Sequence, residues 1–170
     1  LERAAGGLPR DDLDLEDQSL RVVDRIELGS TVDRGPDGGV RLVLHAGLSP
    51  RVATSGWRLE PVEGPVEASF FGINATTDTV SESVPLEAWR LIPETGAGER
   101  VELHYGGRIH HPLDTQGEEY QRSFSETPGL IGRDGVFLSG TSFWVPTFGD
   151  HLVTFSLEVA GLERGDSLVR

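Results

Sequence analysis

Gly135-Val-Phe-Leu-Ser-Gly-Thr-Ser-Phe-Trp-Val-Pro146, followed closely by Leu152-Val-Thr-Phe-Ser-Leu-Glu-Val159, decides the fold class of this chain. The first run reads as a strand, a tight Gly/Ser/Thr turn and an aromatic-proline corner. In the second, Val153, Phe155, Leu157 and Val159 alternate with polar neighbours, the period of a strand with one buried face. Together they build a corner of an antiparallel sheet. They do not read as a catalytic helix or a phosphate loop.

The same period recurs upstream. Residues 1–18 are polar and acidic and read as a loose lead-in, within which Leu13 and Leu15 begin an edge strand. Ser19 to Leu28 reads as a strand. Arg34-Gly-Pro-Asp-Gly-Gly39 is a turn, because Pro presets one dihedral and Gly accepts positive φ. Val40, Leu42 and Leu44 then alternate with Arg41, Val43 and His45, as in a half-buried strand. Arg51 to Thr54 and Trp57 to Glu63 read as short strands split by Ser55-Gly56, and Glu67 to Asn74 as another, centred on Phe70-Phe71. Ser83 to Pro93 holds two prolines, which suit an edge strand or a bulge. In Glu99 to Tyr105, Val101, Leu103 and Tyr105 share one face. His110 to Pro128 reads as a long surface loop or a short helix. Strands resume at Leu130, through Val136 to Leu138 and Phe143 to Val145. The pattern predicts an all-β protein, a β-sandwich or saddle-shaped set of open antiparallel sheets. Residues 19–170 read as a single domain, expected to stop before its last strands because Ser167 to Arg170 looks like a strand just begun.

Composition narrows the function classes. The chain has 170 residues, 22 Gly and 10 Pro, which suits many turns between short strands. A formal charge of −13 argues against sequence-independent nucleic-acid binding and against attachment to an anionic membrane. No apolar run approaches the roughly 18 residues a membrane span needs. The absence of Cys removes disulfides, thiolate metal sites and cysteine nucleophiles. All 15 basic residues are Arg, which we read as a compositional bias. The first residue is Leu, as in a processed or trimmed product, and an exported or periplasmic setting is favoured over the cytoplasm.

Candidate chemistry is sparse. His110-His111, near Asp114, Glu118 and Glu119, has the donor types zinc accepts. Neighbouring histidines on an extended chain point in opposite directions, however, and no His-Glu-x-x-His motif occurs. This segment reads as a solvated loop, and no metal ligand is assigned. His45 and His104 fall on outward strand positions and read as surface residues. Ser139, Thr141 and Ser142 lack the Gly-x-Ser-x-Gly elbow and read as turn residues. The acid pairs Glu118-Glu119 and Asp11-Asp12 read as solvated surface, and Asn74-Ala-Thr76 is a formal glycosylation sequon. Trp57, Trp89 and Trp144 have apolar neighbours and read as packing, with a carbohydrate-stacking platform as the alternative.

The order of these pieces resembles the N-terminal β domain of M1-family (gluzincin) aminopeptidases. The likeness rests on a strand ending in Tyr-x-Gly, here Glu99-Arg-Val-Glu-Leu-His-Tyr-Gly-Gly-Arg108, and then a variable loop. A Gly-aromatic-Leu strand follows, here Gly135-Val-Phe-Leu138, then an aromatic-x-Pro corner, here Trp144-Val-Pro146. The alternating strand Val153 to Val159 and a pair like Leu168-Val169 complete it. The resemblance implies a structural corner at Gly135, Trp144 and Pro146, set in a non-catalytic domain that packs on and shapes the cleft of a catalytic domain. It implies zinc in that parent catalytic domain and none in this chain, with peptide as the parent's substrate. The family's Gly-x-Met-Glu-Asn strand and His-Glu-x-x-His helix are absent here. So is the Gln that helps hold a substrate amine, since no Gln lies between Leu130 and Pro146. No catalytic or substrate-binding residue is therefore carried over. The alternative is a stand-alone β-sandwich module that binds carbohydrate or protein.

Overall fold

In a computed structural model, residues 11–14, 17–30, 32–71, 84–112, 127–132, 135–150 and 159–160 are described. Among these residues ten strands run in chain order: β1 (Asp11–Asp14), β2 (Ser19–Glu27), β3 (Val40–His45), β4 (Arg51–Val52), β5 (Trp57–Val62), β6 (Leu86–Pro93), β7 (Arg100–Arg108), β8 (Gly129–Gly132), β9 (Gly135–Leu138) and β10 (Val159–Ala160). The only helical segments among the described residues are two short 3-10 turns, Ala68–Phe71 and Gly140–Ser142. The protein is all-β.

The strands form a five-stranded sheet in the order β10-β1-β2-β7-β4, a three-stranded sheet β3-β6-β5 and a two-stranded ribbon β8-β9. Every pairing is antiparallel except β1 with β10. The centre of the large sheet is the nine-residue β2–β7 ladder, from Ser19↔Arg108 to Glu27↔Arg100. Its alternation sends Leu20 and Val22 of β2, and Val101, Leu103 and Tyr105 of β7, to one face. There they pack in a common core with Leu42 and Leu44 of β3, Leu91 of β6 and Trp57 of β5. At about 25 cal/mol per Å² of apolar surface, each such Leu contributes roughly 2 kcal/mol.

Two glycine close approaches hold this core together. A Cβ on Gly107 would lie 1.9 Å from the Gly47 carbonyl oxygen, and one on Gly106 would lie 2.7 Å from the Leu20 oxygen. Only the missing side chains let β2, β7 and the turn after β3 come so close.

Several sequence expectations are corrected. β3 is not half-buried. Val40, Leu42, Val43, Leu44 and His45 are all buried, because its second face is also covered. β6 is the central strand of its sheet and not an edge. Pro85 precedes it and Pro93 is its last residue, so neither interrupts the middle of the ladder. The Phe70-Phe71 segment is a 3-10 turn, with the two rings edge to face at 5.1 Å. β1 falls in the segment that Leu13 and Leu15 marked, but it lies between β2 and β10 and is no edge. Phe143 to Val145 forms no strand, yet its backbone serves a sheet, as described below. The run Leu152 to Glu158, the sequon at Asn74, the acids at Asp114, Glu118 and Glu119, and Ser167 to Arg170 lie outside the described residues. No helix among the described residues is long and apolar enough to cross a membrane.

Candidate functional site

The corner at Phe143 to Thr147 covers the free edge of β3. Val43 and Thr147 exchange both backbone hydrogen bonds, at 2.9 and 3.0 Å, and the His45 N–H donates to the Phe143 carbonyl at 2.9 Å. Phe143 reaches this position with φ at 53°, left-handed backbone that a residue with a Cβ enters at a cost of about 1–3 kcal/mol. The 3-10 turn before it is tied down by its hydroxyls. Ser142 Oγ donates to the Ser139 carbonyl at 2.8 Å, and Ser139 Oγ donates to the Pro128 carbonyl at 2.7 Å. Pro146 is buried, Trp144 is half-buried against the core, and Gly135 opens β9 on the surface. None of the hydroxyls of Ser139, Thr141 and Ser142 is hydrogen-bonded to a histidine among the described residues.

His45 is the residue the sequence placed worst. It is 4 % exposed, not on the surface. Its Nε2 lies 2.9 Å from Nε2 of His111, with the rings edge to face. The Gly47 N–H donates to His45 Nδ1 at 2.8 Å. A backbone N–H can only donate, so Nδ1 is the acceptor and the proton of His45 sits on Nε2. That proton is donated to Nε2 of His111, which carries its own on Nδ1. Burial lowers the His45 pKa, with help from His111, and burial likewise lowers that of His111, with help from His110. Both rings are held neutral.

This arrangement is the reverse of a metal ligand's. A ligating imidazole binds the ion with one nitrogen and donates a proton from the other, whereas His45 accepts at Nδ1. Among the described residues no three metal-ligating side chains gather. The adjacent rings of His110 and His111 separate as the extended chain requires, with His110 exposed and His111 turned toward His45.

Around His111 the chain continues β7 into the ribbon. The His111 N–H donates to Gly129 O at 2.9 Å, and the Ile131 N–H donates to Ile109 O at 3.1 Å. β8 is thus paired on both sides, by residues 109–111 and by β9. The outer edge of β9 has no strand beside it among the described residues. β9 also carries the only large apolar side chains that are exposed among those residues, Val136 at 38 % and Phe137 at 54 %. The tryptophans contrast with this. Trp57 is 6 % exposed and sits in the core, and Trp89 and Trp144 pack half-buried against it. No Trp platform is built.

On the outer face of the large sheet a charged ladder crosses three strands. Arg25 Nε donates to Glu102 Oε2 at 3.0 Å, Glu102 Oε1 lies 2.7 Å from His104 Nε2, and Arg51 Nη2 lies 3.1 Å from His104 Nδ1. His104 is therefore half-buried in a network and is no simple surface residue. Hydrogen bonds from His104 and then Arg25 lower the Glu102 pKa. The sequence shows these residues only as alternate outward positions on separate strands. Their meeting depends on strand order, which no local pattern encodes.

With fold and geometry in place, the chain can be set against known proteins. No family model, curated protein or solved structure matches it.

Proposed function

We propose that this chain is a non-catalytic β domain that docks on a catalytic unit and helps wall its cleft, in the manner of the N-terminal β domain of an M1-like zinc metallopeptidase. The observation that carries the docking role is β9, whose Val136 and Phe137 project apolar surface into solvent from a strand with no neighbour on its outer edge among the described residues. The partner is the catalytic domain itself, so hydrolysis would use a zinc-bound water and a glutamate base outside this chain. The attribution to an M1-like parent rests on the order of the motifs from Glu99 to Val159. The side chains support a scaffold in a second way. His45, His111, Ser139 and Ser142 spend their hydrogen-bonding capacity on holding turns and edges. A stand-alone carbohydrate module would call for exposed Trp faces, and Trp57 lies in the core.

The test has two arms. The purified chain, assayed with aminoacyl substrates and added zinc, is expected to cleave none of them; robust zinc-dependent turnover would overturn the reading. The reading frame that encodes the chain is expected to continue past Arg170 into a His-Glu-x-x-His helix. An unrelated continuation would remove the M1-like parent and leave the docking role of β9 to stand on its own.

A further inference from the structure

The outer face of the large sheet holds a depression of about 460 Å³, lined by Ser19, Arg21, Ser49, Arg51 and His104 over a floor of Gly106-Gly107. It exists because of the β7 glycines. Gly106 stands opposite Arg21 of β2, and on its other side its carbonyl accepts the Ser49 N–H at 3.1 Å. Arg21 lies close over Gly106, its Cγ 3.4 Å from where a Cβ would stand, and Arg51 lies beside His104 on the far side of β7. Neighbouring strands lie about 4.8 Å apart, and Arg51 pairs with His104 while Arg21 pairs with Gly106 two residues further on, so the two arginines start roughly 12 Å apart across the sheet.

The charge of this cleft is the opposite of the chain's. The protein carries 28 acidic residues against 15 basic ones, yet two guanidiniums and an imidazole line the depression, and no carboxylate is among its described lining residues. Elsewhere on the face cations are neutralised in cross-strand pairs, Arg25 with Glu102 and Arg100 with Glu27 at 3.1 Å. Arg51 differs. Guanidinium nitrogen can only donate, so His104 accepts at Nδ1 and gives its Nε2 proton to Glu102. The partner of Arg51 is thus a ring nitrogen and no carboxylate, which orients the guanidinium without neutralising it. Glu102 in turn orients the ring.

We propose that this cleft binds a small dianion, a phosphate or a short dicarboxylate, on the guanidinium of Arg51. Arg21 is the opposing cation, and the Ser19 and Ser49 hydroxyls are further donors. Two guanidinium forks facing one gap suit an oxyanion with several acceptor oxygens. Asp12 stands opposite Arg21 in the β1 register, so Arg51 carries the larger share. His104 is a positioning residue that acts through Arg51. The site is independent of the docking role of β9.

The experiment is an NMR titration of the ¹⁵N-labelled chain at low ionic strength, with inorganic phosphate in one arm and malonate in the other. Saturable shifts are expected at the amides of Ser19 to Val23, Ser49 to Arg51 and His104 to Gly107. Saturation by only one ligand identifies the source as phosphate or dicarboxylate. Arg51→Gln should weaken binding about tenfold and Arg21→Gln less, as expected for losing a charge-assisted contact. Arg100→Gln, on the same face but paired with Glu27, should leave affinity unchanged. His104→Ala should weaken binding while His104→Gln, whose side-chain oxygen can accept from Arg51, restores it. These exposed or half-exposed positions spare the core, and unchanged amide dispersion checks each variant. Absence of saturable shifts with both ligands overturns the proposal. So does equal affinity in Arg51→Gln, or an equal loss in Arg100→Gln.

Discussion

Acidification from pH 7.5 to 5 should destabilise this protein through one pair of side chains, His45 and His111. Burial lowers both folded-state pKa values below that of a free imidazole, about 6.5. In the unfolded chain both rings take up protons as the pH falls through about 6.5, while the folded chain resists. The stability is therefore fully present above the unfolded value and is lost progressively as the pH drops from there toward the folded values. The geometry explains the resistance. A proton on His45 Nδ1 would meet the Gly47 N–H, and one on His111 Nε2 would meet the proton His45 donates. Each excluded proton is worth up to about 1.4 kcal/mol per pH unit within the window, for a ring as buried as His45. His111 is half-buried and adds a smaller share. Against a total stability of roughly 5–15 kcal/mol, that is measurable by urea denaturation at half-unit pH steps. His111→Gln, whose amide oxygen can still accept from His45, should flatten the slope between pH 6.5 and 5 while preserving stability at pH 7.5. The lowered Asp37 and Glu102 release their contribution mainly below about pH 5, and the raised Asp24 pulls the other way, so the difference between wild type and His111→Gln isolates the histidine share. Equal slopes in wild type and His111→Gln would refute the reasoning.

Three further predictions test the fold. Leu42→Ala, at 0 % exposure between the two main sheets, should cost about 2–5 kcal/mol in urea denaturation. Gly107→Ala should destabilise strongly, because its new methyl would drive into the Gly47 carbonyl; Gly98→Ala, with nothing near its Cβ, should leave the thermal midpoint unchanged. Asp24→Asn should raise stability at pH 7, since burial of the charge raises the Asp24 pKa, and the gain should vanish as acid neutralises the native carboxyl.

How much of this was legible in the sequence divides by range. Local periodicity located β2, β3, β5, β7, β8 and β9, and it put Val101, Leu103 and Tyr105 on one face, because a strand's alternation is a property of neighbours in the chain. It misjudged His45, since an outward position on an isolated strand becomes buried when another segment covers that face. The segment that meets the His45 side chain carries His111, 66 residues away, whose ring packs edge to face on its own. It misjudged β6 for the same reason. Two prolines mark an edge only if they fall inside the ladder, and Pro85 and Pro93 fall at its ends. The Phe70-Phe71 pair was apolar enough for a strand but folds as a 3-10 turn, with the Arg41 guanidinium over the Phe70 ring at 5.1 Å. The Gly106 cleft was illegible for a different reason. It needs three strands in the order β2-β7-β4, and only the paired register brings Arg21, His104 and Arg51 to one place.

The central claim is that β9 is a docking strand, and hydrogen exchange at Gly135 to Leu138 tests it most directly. The comparison is between the isolated chain and a polypeptide in which the coding sequence continues past Arg170. The β9 amides, with Val136 and Phe137 open to solvent in the isolated chain, are expected to become strongly protected in the longer protein. Phe137→Asp should abolish that protection without unfolding the β domain. Identical exchange in the two proteins would contradict it.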